Sequence, residues 1–417
     1  MTDIKEVFKM DMKNVFEWLW IVNCFGCGNA RIWEVKEKFS SVTEMYEALR
    51  EPEKIKNMLL PKELKNAKGT NEDKINELIS YCEKHNIYIL TFDDEIYPER
   101  LRSIYNPPAV LFCRGELECL ENDFCLAAVG TRKPSDYSVR LTSALVKSLV
   151  DFDISIISGF AVGIDITASL AAVRNGGKTI VVLGCGLDHD YPAPNVRYRS
   201  EIEKNGLFIS EYYPKMTGSR ASFPARNRIL SGLALGTMVI EAAAKSGALV
   251  TANLAVEQGR DVFAAAPHDL FDKRYGGNVA LIRDGAICLC GARDVLYEYY
   301  ENYGHKIANA ADRMSLHKIS RSSGKSSASE KRPTERKPAA PMRAAQKPPE
   351  VTDVDLSGLT DEEKRIYDIL KEADKPMLAD EIAAELDADI SDVLTALTGL
   401  ELGGAVRSEA GQSYAAN

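Results

Sequence analysis

Cys125-Leu126-Ala127-Ala128-Val129-Gly130-Thr131-Arg132-Lys133 is a run of five apolar residues leading directly into a glycine, a threonine and two cations. An apolar run of that length without alternation reads as a strand buried on both faces, as a parallel sheet requires. The same pattern recurs. Ile154–Ile157 leads into Ser158-Gly159-Phe160-Ala161-Val162-Gly163, Thr179–Leu183 into Gly184-Cys185-Gly186, and Leu207–Ser210, Thr237–Ile240, Asp261–Ala264 and Ala286–Leu289 follow with helical segments between them. Strand and helix alternating at such intervals predict an α/β fold, a Rossmann-like doubly wound parallel sheet with helices on both faces. Two earlier runs, Ile87–Phe92 and Ala109–Cys113, flank the turn-rich Tyr97-Pro98 and Asn106-Pro107-Pro108 and extend that sheet.

Outside the sheet the periodicity changes. Residues 12–82 place Phe16, Leu19, Ile32, Val35, Phe39, Met45 and Leu49 at helical spacing, interrupted by Cys24-Phe25-Gly26-Cys27-Gly28. This predicts a helical domain over 1–84, SAM-like or helix-hairpin-helix-like, whose glycine turn either offers N–H groups to a phosphate or only packs. The Rossmann-like domain then occupies 85–304. Residues 305–355, rich in Ser, Pro, Ala, Lys and Arg, read as a disordered basic linker. In 356–417, three helical stretches (Thr360–Ala373, Leu378–Leu386 and Ile390–Leu402) and a hairpin from Val406 to Tyr414 predict a winged helix.

The bulk properties narrow the function classes. The 417 residues carry a formal net charge of −9, which argues against a uniformly basic nucleic-acid surface. The charge is unevenly distributed: residues 306–350 hold 11 Lys and Arg against 4 Asp and Glu, whereas 360–417 hold 5 against 14. Any DNA site is therefore a local patch. Nine scattered cysteines fit reduced thiols, and the lone Cys24-x-x-Cys27 has no second ligand pair at zinc-finger spacing, so no metal is expected. Met1–Asp11 lacks the apolar centre of a signal peptide and no segment reaches the length of a membrane span, so a cytoplasmic location without membrane contact is expected.

In open parallel sheets, ligands sit beyond the carboxyl ends of the strands, where loops enter helix N-termini. Gly130, Thr131, Arg132 and Lys133 follow one strand there, and Ser158, Gly159, Phe160 and Ala161 follow the next. Small residues admit a phosphate closely, and the Ser158 hydroxyl is a candidate donor. Ser222-Phe223-Pro224-Ala225-Arg226-Asn227-Arg228 opens a predicted helix with two guanidiniums around an amide, a set suited to a phosphate backbone. Lys245, Ser246 and Gly247 form another loop at a helix start. Phe160, and less directly Tyr137, are candidates for stacking on unpaired bases. On this reading, Arg226→Ala or Arg228→Ala weakens binding to a single strand and lowers its salt slope by about one unit.

These segments, with Ile164-Asp165, Leu187-Asp188, Tyr191-Pro192, Glu241-Ala242-Ala243, Ala248-Leu249, Thr251-Ala252 and Glu257-Gln258-Gly259-Arg260, closely resemble the DNA-processing family DprA, also called Smf, from about Tyr97 to Ala286. The resemblance implies a single-stranded DNA binder that protects incoming DNA and loads the RecA recombinase in natural transformation. It also implies a homodimer and a DNA contact at Lys178. Two departures stand out: Ala168-Ser169 replaces the family's common Ala-His, and Ala265-Ala266-Pro267-His268 replaces its usual Val-Pro-Gly.

The competing reading is a nucleotide-processing enzyme of similar fold, of the nucleoside monophosphate phosphoribohydrolase type, with Glu241 at a strand end as the catalytic carboxylate. The glycine-rich catalytic pattern of such enzymes is absent, Gly184-Cys185-Gly186 lacks the third glycine of a dinucleotide fingerprint, and none of the five histidines shares a motif with a Ser or Cys nucleophile. The expectation is a protein with neither catalytic residues nor cofactor. The predicted recognition helix of the winged helix, Ile390–Leu402, holds Asp392 and Glu401 but no Lys or Arg, so that module is expected to bind an unidentified protein partner rather than DNA.

Overall fold

A computed structural model describes residues 11–310 and, with short gaps, 360–416. These fall into two compact units, divided near residue 327. The segment 311–359, which holds most of the expected linker, lies outside the described residues.

The first unit is built on a nine-stranded sheet in the order β1-β2-β6-β5-β4-β3-β7-β8-β9. Its strands are β1 (Tyr88–Thr91), β2 (Val110–Gly115), β3 (Cys125–Val129), β4 (Ser155–Ser158), β5 (Thr179–Leu183), β6 (Gly206–Ser210), β7 (Gly236–Val239), β8 (Asp261–Ala265) and β9 (Ile287–Leu289). From β6 to β9 every pairing is parallel, whereas β1 with β2 and β2 with β6 are antiparallel.

Side-chain alternation sorts the core into two faces. Ala127 and Val129 of β3 pack with Ile229, Leu230 and Leu233 of one helix and Ala248, Ala252 and Ala255 of another, while Leu126 and Ala128 face Leu145, Leu149, Ile164 and Ala168 on the other side. Helices of this unit include α1 (Met12–Phe25), α2 (Arg31–Lys36), α3 (Val42–Arg50), α4 (Pro61–Gly69), α5 (Glu72–Lys84), α6 (Glu99–Arg102), α7 (Asp136–Val150), α8 (Ile164–Arg174), α9 (Arg199–Glu203), α10 (Ser222–Leu233), α11 (Ala248–Glu257), α12 (Gly276–Arg283) and α13 (Ala292–Glu298).

The N-terminal helices share one core with the sheet. Trp18, Leu19 and Ile21 of α1 belong to the same buried cluster as Ile89, Phe112, Val181 and Phe208. Trp18 Nε1 donates to Asp93 Oδ2 at 2.8 Å and Trp33 Nε1 to the Pro107 carbonyl at 2.9 Å. Residue 84 is thus a change of secondary structure without a break in packing. The glycine turn after α1 faces inward: the Gly28 carbonyl accepts from Asn106 Nδ2 at 3.0 Å, and a Cβ at Gly28 would stand 2.9 Å from Glu211 Oε2.

In the second unit, Thr360 caps α14 (Asp361–Glu372) in a reciprocal box with Glu363. It is followed by α15 (Ala379–Leu386) and a three-stranded sheet of β10 (Met377–Leu378), β12 (Ser413–Ala416) and β11 (Val406–Glu409) in that spatial order. Ile366, Leu370, Ile382, Leu397, Leu400 and Val406 form its core. Most of the expected recognition helix 390–402 lies outside the described residues.

Candidate functional site

Winding reverses at β3, whose neighbours β4 and β7 carry their following helices to opposite faces of the sheet. The loops leaving β3 and β7 diverge there and leave a crevice at the carboxyl edge. A cleft of about 450 Å³ opens at this point, lined by Gly130, Thr131 and Arg132 after β3, Asp165 of α8, Pro224, Arg226 and Asn227 of α10, and Ser246, Gly247 and Thr251 at α11. A smaller pocket adjoins it, shares Arg132, Ala161, Phe223 and Arg226, and adds Gly159 and Tyr191.

The backbone holds these loops in register. Thr131 N donates to the Glu241 carbonyl at 2.8 Å, and Ile164 N donates to the Thr131 carbonyl at 3.2 Å. Gly163 has φ +91°, and a Cβ there would lie 2.3 Å from the Thr131 carbonyl oxygen, so only glycine lets the two loops meet. Gly163→Ala is expected to unfold at a temperature several degrees lower and to lose the cleft, read by thermal denaturation and ligand titration together.

Arg226 is buried against the backbone. Its Nη1 donates to the Gly159 carbonyl at 2.9 Å and also to that of Val182, while Nε donates to Asn227 Oδ1 at 3.0 Å. Gly159 must be bare, because a Cβ would stand 2.7 Å from both Arg226 Nη2 and Asp165 Oδ2. Burial pushes the Asp165 carboxyl up to about 6, opposed by Arg226, the Ala161 and Gly159 N–H groups and Arg132. Burial also lowers the Arg226 guanidinium, with Asp165 opposing.

Because the folded-state value of Asp165 exceeds its ordinary 3.8, its protonation favours the fold. That contribution is complete below the unfolded value and is lost as the pH rises through about 6. The same protonation removes the one carboxylate lining the cleft, so affinity for a phosphate chain is expected to rise about three- to tenfold from pH 7.5 to 5.5, and Asp165→Asn to flatten that profile. Anisotropy titrations across the pH range measure both.

Several predicted site residues stand elsewhere. Arg228 points away from Arg226: its Nη1 and Nη2 donate to Glu211 Oε2 and Oε1 at 2.9 and 2.6 Å, and its Nε to the Asn106 carbonyl at 2.9 Å. The pair of phosphate-holding guanidiniums read from the sequence is therefore reduced to one, because residues two apart on a helix face different sides. The Ser158 hydroxyl is fully buried and donates to the Ala128 carbonyl at 2.8 Å, so it offers nothing to a ligand. Phe160 is 1% exposed, edge-on to Phe208 at 5.1 Å, and presents no free face for a base. Lys178 precedes β5 at the amino edge, opposite the cleft, with Nζ donating to the Glu118 carbonyl at 3.4 Å. By contrast, Gly130, Thr131, Arg132, Gly159, Ala161, Arg226, Asn227, Ser246 and Gly247 all line the cleft or its side pocket, and Lys133 is exposed beside them.

Glu241 is engaged in holding structure. Its Oε2 accepts from Ser135 N at 2.9 Å, Ser135 Oγ at 2.6 Å and Tyr275 OH at 3.3 Å. Burial opposes its charge, but the Ser135 and Ser138 donors and the Arg274 charge together keep its carboxyl below the usual range. Tyr191 and Phe223, with ring centroids 5.1 Å apart in the side pocket, were not singled out from the sequence, although both sit inside motifs that were. Among the described residues, no cluster of His, Cys, Asp or Glu could hold a metal ion and no helix is long and apolar enough to cross a membrane.

Known proteins share this arrangement. The family profile described as DNA recombination-mediator protein A matches residues 88–300, and the profile of the DprA winged helix domain matches residues 344–412. DNA processing protein DprA of Bacillus subtilis is 37% identical over 228 residues, 55% of this chain and 76% of that protein. Its counterpart in Streptococcus pneumoniae is 41% identical over 206 residues, 49% of this chain and 72% of that protein. The X-ray structure of DprA from Streptococcus pneumoniae superposes with a TM-score of 0.62 at 33% identity, covering 69% of this chain and 99% of that one. With the recombination-mediator profile matched over half of the chain, the DprA winged helix profile matched after it, and curated relatives at 37–41% identity, the chain belongs to the DprA/Smf family of DNA-processing proteins.

Proposed function

We propose that this protein is a non-catalytic binder of single-stranded DNA that holds the strand in the switch-point cleft and helps a RecA-type recombinase assemble on it during natural transformation. The observation that carries this reading is the pairing of exposed Arg132 with buried, backbone-held Arg226 across one cleft. A mobile cation reaches the phosphate while a fixed one sets its position. Asn227 adds an amide, and α8, α10 and α11 begin at the same cleft, so their positive dipole ends favour an anion there. The residues that line the opening of about 450 Å³ include no His or Cys.

The recombinase, the homodimer and a cytoplasmic location are what family membership suggests, and a protein partner for the winged helix is read from residues 390–402, which hold Asp392 and Glu401 but no Lys or Arg. A DNA contact at Lys178 would have to come from a second binding face. The enzyme reading rests on Glu241, whose carboxylate is engaged by Ser135 and Tyr275. Two assays test the proposal. Labelled oligo-dT is expected to bind more tightly than a matched duplex by fluorescence anisotropy, and incubation with nucleoside monophosphates is expected to release no free base by mass spectrometry. Base release that depends on Glu241 would establish the enzyme instead.

A further inference from the structure

The loops after β3, β7 and β8 form one connected rim along the carboxyl edge. Thr131 N donates to the Glu241 carbonyl and Gly277 N to the Ala242 carbonyl, each at 2.8 Å, while Ser135 Oγ and Tyr275 OH lie 2.9 Å apart. The Tyr137 and His268 rings stand 5.1 Å apart and close the far side of the rim. The cleft opens at one end of this rim and the β8 loop forms the other.

Two observations on the rim are unused by the cleft. The first is charge. Lys133, Lys245 and Lys273 are exposed, and among the described residues none of their side chains forms an ion pair. The second is Phe271, 93% exposed beside Leu270 at 72%, at the tip of the β8 loop. The tip is held outward: Asp269 Oδ1 accepts from Phe271 N at 2.9 Å, and Asp272 Oδ1 accepts from Arg274 N at 3.0 Å. Arg274 neutralises Asp272 through a 2.6 Å ion pair. An aromatic ring held in solvent at the end of a row of unpaired cations is the combination that single-stranded nucleic acid uses, with phosphates on the cations and a base on the ring.

We propose that the strand leaves the cleft toward β8, with its phosphates following Lys133, Lys245 and Lys273 and an unpaired base stacking on Phe271. This rests on the single-strand reading of the cleft and adds a second subsite to it. It also supplies an aromatic platform, a role that the buried Phe160 cannot fill.

The test uses the full chain and oligo-dT of two lengths, about six and about twenty nucleotides, which bracket the cleft alone and the cleft with the rim. Phe271→Ala is expected to weaken the longer oligonucleotide about tenfold and leave the shorter one unchanged. Lys245→Ala and Lys273→Ala are each expected to lower the salt slope for the longer one by about 0.7. Phe271→Trp places an exposed indole at the tip, whose emission is expected to be quenched by the longer strand only. Unchanged affinity with an unquenched indole overturns the proposal. So does a change in self-association of Phe271→Ala by light scattering with DNA binding intact, which would make the tip a protein contact. Loss of even the short-strand binding in wild-type protein would instead defeat the cleft reading on which this one rests.

Discussion

Arg228→Ala is expected to lower the unfolding free energy by about 3–5 kcal/mol, read by denaturant titration. Arg228 and Glu211 have side chains 10% and 4% exposed and are joined by two short hydrogen bonds. Removing the cation leaves a carboxylate without water or partner and frees the Asn106 carbonyl, so α10 loses its tie to the end of β6 and to the β1–β2 connection. Replacing both partners together, as Arg228→Met with Glu211→Leu, is expected to recover most of that loss because no buried charge remains. A stable Arg228→Ala protein with impaired DNA binding would restore Arg228 to the ligand site.

Arg132→Ala with Lys133→Ala is expected to show the opposite profile. Both side chains are exposed and, among the described residues, neither is in an ion pair, so stability changes by no more than about 0.5 kcal/mol. Affinity for oligo-dT should fall at least about tenfold at low salt, and the slope of log affinity against log salt should flatten by about 1.4 units, or about 0.7 for each phosphate left without its cation. Thermal melts and anisotropy at several salt concentrations separate the two effects. A large drop in melting temperature would mean that these residues hold the loop rather than the ligand.

The parallel sheet was legible in the sequence because its strands are uninterrupted apolar runs, and Cys125–Val129 and Thr179–Leu183 fall where the pattern places them. The strand direction of β1 and β2 was not, since periodicity reports burial and not polarity. The N-terminal helices read as a separate domain because helical spacing begins and ends there, yet Trp18 and Phe112 share a core, a long-range fact without a local signal. At the cleft, the loops were legible through their glycines. Side-chain direction was not: Arg226 and Arg228 look equivalent in sequence and both are buried, and only the tertiary position of Glu211 turns Arg228 away from the cleft into an ion pair. Phe160 misled for a related reason. A glycine-rich loop marks close approach, and here what approaches is Phe208 and the Asn195 amide, which donates to the Phe160 carbonyl at 2.7 Å.

The most direct test of a single-strand site in the switch-point cleft is the anisotropy of labelled oligo-dT and a matched duplex at two salt concentrations, with the full chain and with residues 1–305 alone. A preference for the single strand is expected to survive removal of residues 306–417 and to be lost with Arg132→Ala in the shortened chain. Equal binding of both forms, or binding that disappears with the basic segment, would contradict it and move the site away from the cleft.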